Sequence, residues 1–179
     1  IVSASSDETL RLWDARTGSQ IAQMAGSESR VSACAFSPDG SHLAIGEDGG
    51  RIRLLNFRTG NCVFLPAPLG AGVAVLAFSP IGGLLAAGYG YGQGTIRLWD
   101  ARSGKPRRQL TNHTGSVHGL VFTPDGQQLA SASSDGTVRI WNTAEGVELR
   151  CLLSSPENLT ALALLPGLPS RWRPHGAIR

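Results

Sequence analysis

The chain has 179 residues, 41% of them apolar, with a formal net charge of +3. That is enough for one compact unit with a sizeable core. No apolar stretch approaches the roughly 20 residues a membrane-spanning helix needs; the longest, 159–165, is interrupted by Thr160 and closed by Pro166, so no membrane role is expected. The basic excess sits in the last ten residues, where Arg171, Arg173 and Arg179 have no acidic neighbour, and the rest balances 13 basic against 13 acidic residues. A neutral body gives little support to nucleic-acid binding, and the local cluster Arg102, Lys105, Arg107 and Arg108 reads as a solvated strand edge.

From the first residue the chain reads as strand, and because Ile1 falls directly into such a run it is expected to lie inside a longer protein. Residues 9–18 (TLRLWDARTG) then return as 51–60 (RIRLLNFRTG), 95–104 (TIRLWDARSG) and 137–146 (TVRIWNTAEG). The fifth residues of these copies, Trp13, Leu55, Trp99 and Trp141, are 42, 44 and 42 apart. A second ladder runs in step: AFSPDG at 35–40, AFSPIG at 77–82, VFTPDG at 121–126 and a decayed LLPG at 164–167. Two ladders in register at one period define a repeat array. The two extra residues fall between Phe78 and Trp99, in the glycine-rich stretch 88–94.

Within each period, short apolar or alternating runs are separated by turn residues, as in an antiparallel meander. Strand A is expected at 31–36, 73–78 and 117–122, each followed closely by a proline that cannot continue a ladder. Strand B is expected at 42–46, 84–88 and 128–132, and strand C at 52–55, 96–99 and 138–141. Strand D is expected at 61–65, 105–110 and 147–152, and a last strand A at 159–164. The fold class is therefore all-β, four-stranded antiparallel sheets whose neighbours bury their faces.

These motifs resemble the WD-repeat family of β-propellers over residues 1–167, and 168–179 reads as a non-repeat basic tail. The resemblance implies a bracing tetrad in each blade: a His before strand A, a Ser or Thr on strand B, an Asp in the B–C turn and the Trp of strand C. The last full repeat matches with His113, Ser131, Asp135 and Trp141, and the first supplies Ser3, Asp7 and Trp13. In the middle repeats, counting back from strand C puts Ile45 and Tyr89 at the Ser position and Gly49 and Gln93 at the Asp position, with Asp48 one residue early. These blades are expected to rely more on apolar packing. About four blades' worth of chain is present, and two closures stay open: an unusually small ring of four, or part of a larger ring with exposed edges prone to self-association.

Ser, His and Asp together invite a hydrolase reading, but the tetrad aims Ser131 at an indole N–H, and nothing resembles a nucleophile elbow. The glycines of 88–94 lack a following Lys-Ser or Lys-Thr and a helix, so a permissive turn is expected there, not a phosphate cradle. His42 and His118 have no partner at ligand spacing, and no metal or cofactor is expected. Three dispersed cysteines, Cys34, Cys62 and Cys151, suit a reducing compartment, cytoplasmic or nuclear. The expectation is a non-catalytic scaffold for other proteins, of the kind that forms the sensor part of larger signalling proteins. Arg30, Tyr89 and Tyr91 on rim loops are the expected contacts, with packing of the two tyrosines on the neighbouring blade as the equal alternative. A nucleic-acid-associated propeller and a hydrolase or lyase site in a central channel are the alternatives.

Overall fold

The computed structural model describes residues 1–5, 9–24, 29–66, 70–90, 94–154, 159 and 162–163. Asp7, Tyr91, Gln93, most of the expected last strand A and the 168–179 tail lie outside the described residues.

The strands follow the repeat. β1 (Val2–Ala4), β2 (Leu10–Trp13) and β3 (Gln20–Met24) form a three-stranded sheet. Three four-stranded meanders follow. The second sheet is β4 (Val31–Phe36), β5 (His42–Glu47), β6 (Ile52–Asn56) and β7 (Cys62–Leu65). The third is β8 (Val73–Phe78), β9 (Leu84–Tyr89), β10 (Ile96–Asp100) and β11 (Pro106–Leu110). The fourth is β12 (Val117–Phe122), β13 (Gln128–Ser133), β14 (Thr137–Asn142) and β15 (Glu148–Ser154). All pairings are antiparallel.

The A strands keep their expected bounds because Pro38, Pro80 and Pro124 close each one, while the B strands run one residue longer than expected. Every A strand also carries the same irregularity near its start, between Val31 and Ala33, Val73 and Val75, and Val117 and Gly119. Such bulges sharpen the local twist where strands crowd.

Neighbouring sheets pack face to face. Leu10, Val31, Leu43 and Ile45 fill the first interface, and Ile52, Leu54, Val73, Leu85, Tyr89 and Trp99 the second. Ile96, Leu98, Val117, Leu120, Leu129 and Trp141 fill the third. A strand buried on both faces needs small or apolar residues throughout, which is why β9 reads Leu-Leu-Ala-Ala-Gly-Tyr without a polar alternation. The D strands are the outer edges: Ile21, Val63, Phe64 and Leu149 are exposed.

Contacts between strands link the sheets in chain order, β1 to β4, β4 to β8 and β8 to β12. Leu159 and Leu162, in register with Val117 and Leu120, lie against the far side of the fourth sheet. There Leu159 N–H donates to Ser133 O (3.3 Å), and a Cβ on Gly119 would meet Leu162. At the other end, Ile1 stands in register with Leu43, Leu85 and Leu129. Those three are wholly buried and Ile1 is 70% exposed.

Candidate functional site

The polar interior of the fourth sheet holds the expected tetrad in a single chain of hydrogen bonds. His113 precedes β12, Ser131 sits mid-β13, Asp135 lies in the turn to β14, and Trp141 is opposite Leu129 on β14. Trp141 Nε1 donates to Ser131 Oγ (2.8 Å), which lies 2.7 Å from His113 Nε2, and His113 Nδ1 lies 2.8 Å from Asp135 Oδ2. The indole can only donate and the carboxylate only accept, so the network fixes the proton on Nδ1 and has the Ser131 hydroxyl donate to Nε2. Asp135 also accepts from the Thr114 and Thr137 amides and the Thr137 hydroxyl.

Each group here has a partner, so burial carries little penalty. Burial pushes the His113 imidazole down from its ordinary value by more than the adjacent Asp135 pulls it up, so the ring is held neutral. Burial alone would raise the Asp135 carboxyl, but the bonds it accepts from Thr137, Thr114 and His113 outweigh this and hold it well below the usual carboxylate range.

The other sheets depart from this pattern, each for an identifiable reason. In the first, Trp13 Nε1 donates to Ser3 Oγ (2.8 Å) on a surface where Ser3 is exposed. In the third, the strand pairing corrects the position inferred from sequence. Ala87 opposes Arg97 as Ser131 opposes Arg139, so Ala87, and not Tyr89, stands at the Ser position. The two extra residues therefore follow strand B, and counting back from Trp99 by the spacing of the other repeats falls two residues short. With no hydroxyl at Ala87, the buried Trp99 Nε1 has no hydrogen-bond partner.

Tyr89 corresponds to Ser133 and is wholly buried between the second and third sheets. Burial pushes its phenol well above the ordinary range. It is a core residue, so of the two expectations for Tyr89 the packing one holds and the rim contact does not. Gly94 beyond it has a left-handed backbone (φ +54°), and a Cβ there would overlap the His113 carbonyl, so Gly94 permits a close turn-to-turn approach.

The second sheet substitutes a different brace that sequence reading missed. Glu47, 1% exposed at the end of β5, pairs with Arg53 of β6 as opposite charges, its Oε1 lying 3.0 Å from Arg53 Nε but out of line for a hydrogen bond, and Ser29 Oγ donates to Oε2 at 3.4 Å. Asp48 does not take the Asp role; it faces outward toward the 63%-exposed Arg30 side chain at 3.9 Å. The signal available in sequence was the strand-C arginine, Arg11, Arg53, Arg97 and Arg139, which recurs in every repeat. In the fourth sheet Arg139 pairs instead with Glu148 (2.6 Å), which Asn112 also reaches at 2.6 Å.

The geometry decides what Ser131 can do. Its lone pair takes the indole proton, its own proton goes to His113, and it is wholly buried, so no substrate reaches it. The ring nitrogens of His42 are likewise taken, Nδ1 by Ser41 (2.7 Å) and Nε2 by Asn56 (3.0 Å). Among the described residues no cluster of His, Cys, Asp and Glu forms a metal site.

Repeated four-stranded meanders packed face to face, one of them braced by an internal His-Ser-Asp-Trp network, define a protein built of propeller blades. Residues 18–56, 63–100 and 104–142 match the family model "WD domain, G-beta repeat", and the chain belongs to that family. It is 28% identical to THO complex subunit 3 of Arabidopsis thaliana over 152 residues, 84% of this chain and 46% of that protein. It is also 28% identical to the nuclear distribution protein nudF of Aspergillus niger over 149 residues, 83% of this chain and 28% of that protein. Human coronin-7 shares 41% identity over 54 residues, 30% of this chain and 6% of coronin-7. The chain thus spans less than half the length of these relatives.

Proposed function

We propose that this chain is a non-catalytic scaffold for protein–protein interaction, acting as the sensor or regulatory part of a larger signalling protein. The observation that carries the reading is that the Ser-His-Asp set of the fourth sheet is consumed by its own sheet, with Ser131 wholly buried between Trp141 and His113, while the second such set, Asp39, Ser41 and His42, is closed by bonds among its own members and to Asn56. What remains is a rim of loops, where Arg30 presents a 63%-exposed side chain. Arg30 and Tyr91 are the contacts we assign to a partner. The names of two relatives, one a subunit of a complex and one a nuclear distribution protein, are in keeping with assembly work inside the cell. So is the lack of a disulfide at Cys34, Cys62 and Cys151. We place the protein in the cytoplasm, with the nucleus as the alternative.

The test is proximity cross-linking in cells with a photoreactive residue at position 91, alone and with Arg30→Glu. A defined set of cross-linked proteins that falls at least about tenfold with Arg30→Glu, at unchanged thermal stability, is expected, a loss equal to about 1.4 kcal/mol of binding. An unchanged set, or labelling of Ser131 by an active-site fluorophosphonate, speaks against it.

A further inference from the structure

We propose that the cleft between the turns of the third and fourth sheets, at the edge opposite His113, binds an extended, acidic peptide segment of a partner protein that carries one apolar anchor residue. The cleft has a volume of about 680 Å³ and is lined by Ile81, Leu84, Arg107, Arg108, Gln127 and Leu149, among others. That size suits a few residues of extended chain. The inference rests on the scaffold reading above and adds where a partner engages and what chemistry it presents.

The turn after strand A supplies the first argument. In the second sheet Ser37 Oγ donates to Asp39 (2.7 Å), and in the fourth Thr123 Oγ1 donates to Asp125 (2.6 Å). The third sheet has Ile81 where those aspartates stand. Ser79, 1% exposed, has consequently lost its acceptor, and its Oγ is an unpartnered buried atom packed against Gly126 of the cleft wall. Ile81 itself is 70% exposed at the mouth. The exchange costs the isolated fold twice, through an unpaired hydroxyl and an exposed aliphatic side chain. Local rules broken in this way mark functional surfaces. Leu149, 44% exposed, completes the apolar floor.

Charge supplies the second argument. Arg107 is paired with Asp100 (2.6 Å), and Asp125 is turned into its own loop by Thr123 and the Gln127 amide. Arg108 reaches across to the Ala144 carbonyl (3.0 Å) and to its own neighbour's carbonyl (2.9 Å), so these partners are carbonyl oxygens and not carboxylates. Arg102 and Lys105 stand exposed on the adjoining turn. Against these, Glu145 is the one exposed acidic side chain on the facing turn. A carboxylate flanking the anchor completes the fork of Arg108.

The experiment uses the whole chain and an array of octapeptides with one central Leu and zero, two or four flanking Asp, beside the same set with Lys and with Ser replacing Leu. Binding is expected to rise with Asp count, to be lost in the Lys and Ser sets, and to weaken with salt. Ile81→Asp is the diagnostic variant, because it returns an acceptor to Ser79. Its melting temperature should rise while binding to the four-Asp peptide falls at least about tenfold; Arg108→Gln should lose binding by a similar factor. Array signals with no charge order, or full binding by Ile81→Asp, overturn the proposal. Displacement of the peptide by oligouridylate that depends on Arg107 and Arg108 but not on Ile81 reassigns the cleft to nucleic acid. None of these outcomes bears on the cross-linking at position 91, so the cleft can fail while the scaffold reading stands.

Discussion

Arg53→Met is expected to lower the unfolding free energy by about 3 to 5 kcal/mol, since removing one partner of a buried ion pair strands the other. The stranded group is Glu47, 1% exposed, which among the described residues keeps the 3.4 Å contact from Ser29. Arg53 is itself 16% exposed, so water screens the pair a little and the lower end of the range is the better expectation. Ile45, which stands opposite Arg53 on the neighbouring strand, offers no hydrogen bond from its side chain. Urea denaturation reads the effect as a fall in midpoint at constant slope. The double variant Glu47→Leu, Arg53→Met should recover most of the loss, because replacing both partners with apolar groups removes the desolvation cost with the attraction. A single-variant loss below about 1 kcal/mol would place the pair with ordinary surface salt bridges and would leave the second sheet without a polar brace.

The contrast between the two braces shows what a repeat discloses. The ladders at Trp13, Leu55, Trp99 and Trp141 carry strand positions because each copy repeats the same backbone demands: β-branched residues at the start of strand C, a proline after strand A. The fourth-sheet tetrad was legible for the same reason, since each of its members sits at a fixed offset in an undisturbed copy. The third sheet was not, because an insertion between two ladders has no unique place in sequence. Only the Ala87–Arg97 pairing locates it after strand B, which moves Tyr89 from the Ser position into the core.

The Glu47–Arg53 pair was invisible for a different reason: a glutamate at a strand end reads as exposed unless its burial is known. Ser79 and Ile81 belong with it, since a single Asp-to-Ile difference between turns acquires meaning only once the hydroxyl is seen to have no partner.

Ser131→Ala should be the other large loss, and it reproduces in the fourth sheet what Ala87 already is in the third. It leaves Trp141 Nε1 and His113 Nε2 without partners in a buried site. At about 1 to 3 kcal/mol for each stranded group, partly relaxed, the expected cost is about 2 to 4 kcal/mol. The reciprocal change, Ala87→Ser, gives Trp99 Nε1 an acceptor and should stabilise by about 1 kcal/mol.

Proton linkage separates the two effects. His113 is depressed below its ordinary value of 6.5 in the fold, so the unfolded chain binds the extra proton first. The His113 contribution is then fully present above pH 6.5 and is lost as pH falls through the folded value. Asp135 is depressed too, so its contribution is present above its ordinary 3.8 and is lost only in stronger acid. Wild type should therefore lose stability in two steps on acidification. Ser131→Ala removes the hydroxyl that donates to the neutral ring, so its first step should shrink while the Asp135 step remains. Ala87→Ser, remote from any titrating member of the tetrad, should shift the whole profile upward without changing its shape. Identical pH profiles for wild type and Ser131→Ala would mean that the hydroxyl does not set the protonation of His113, and that burial alone keeps the ring neutral.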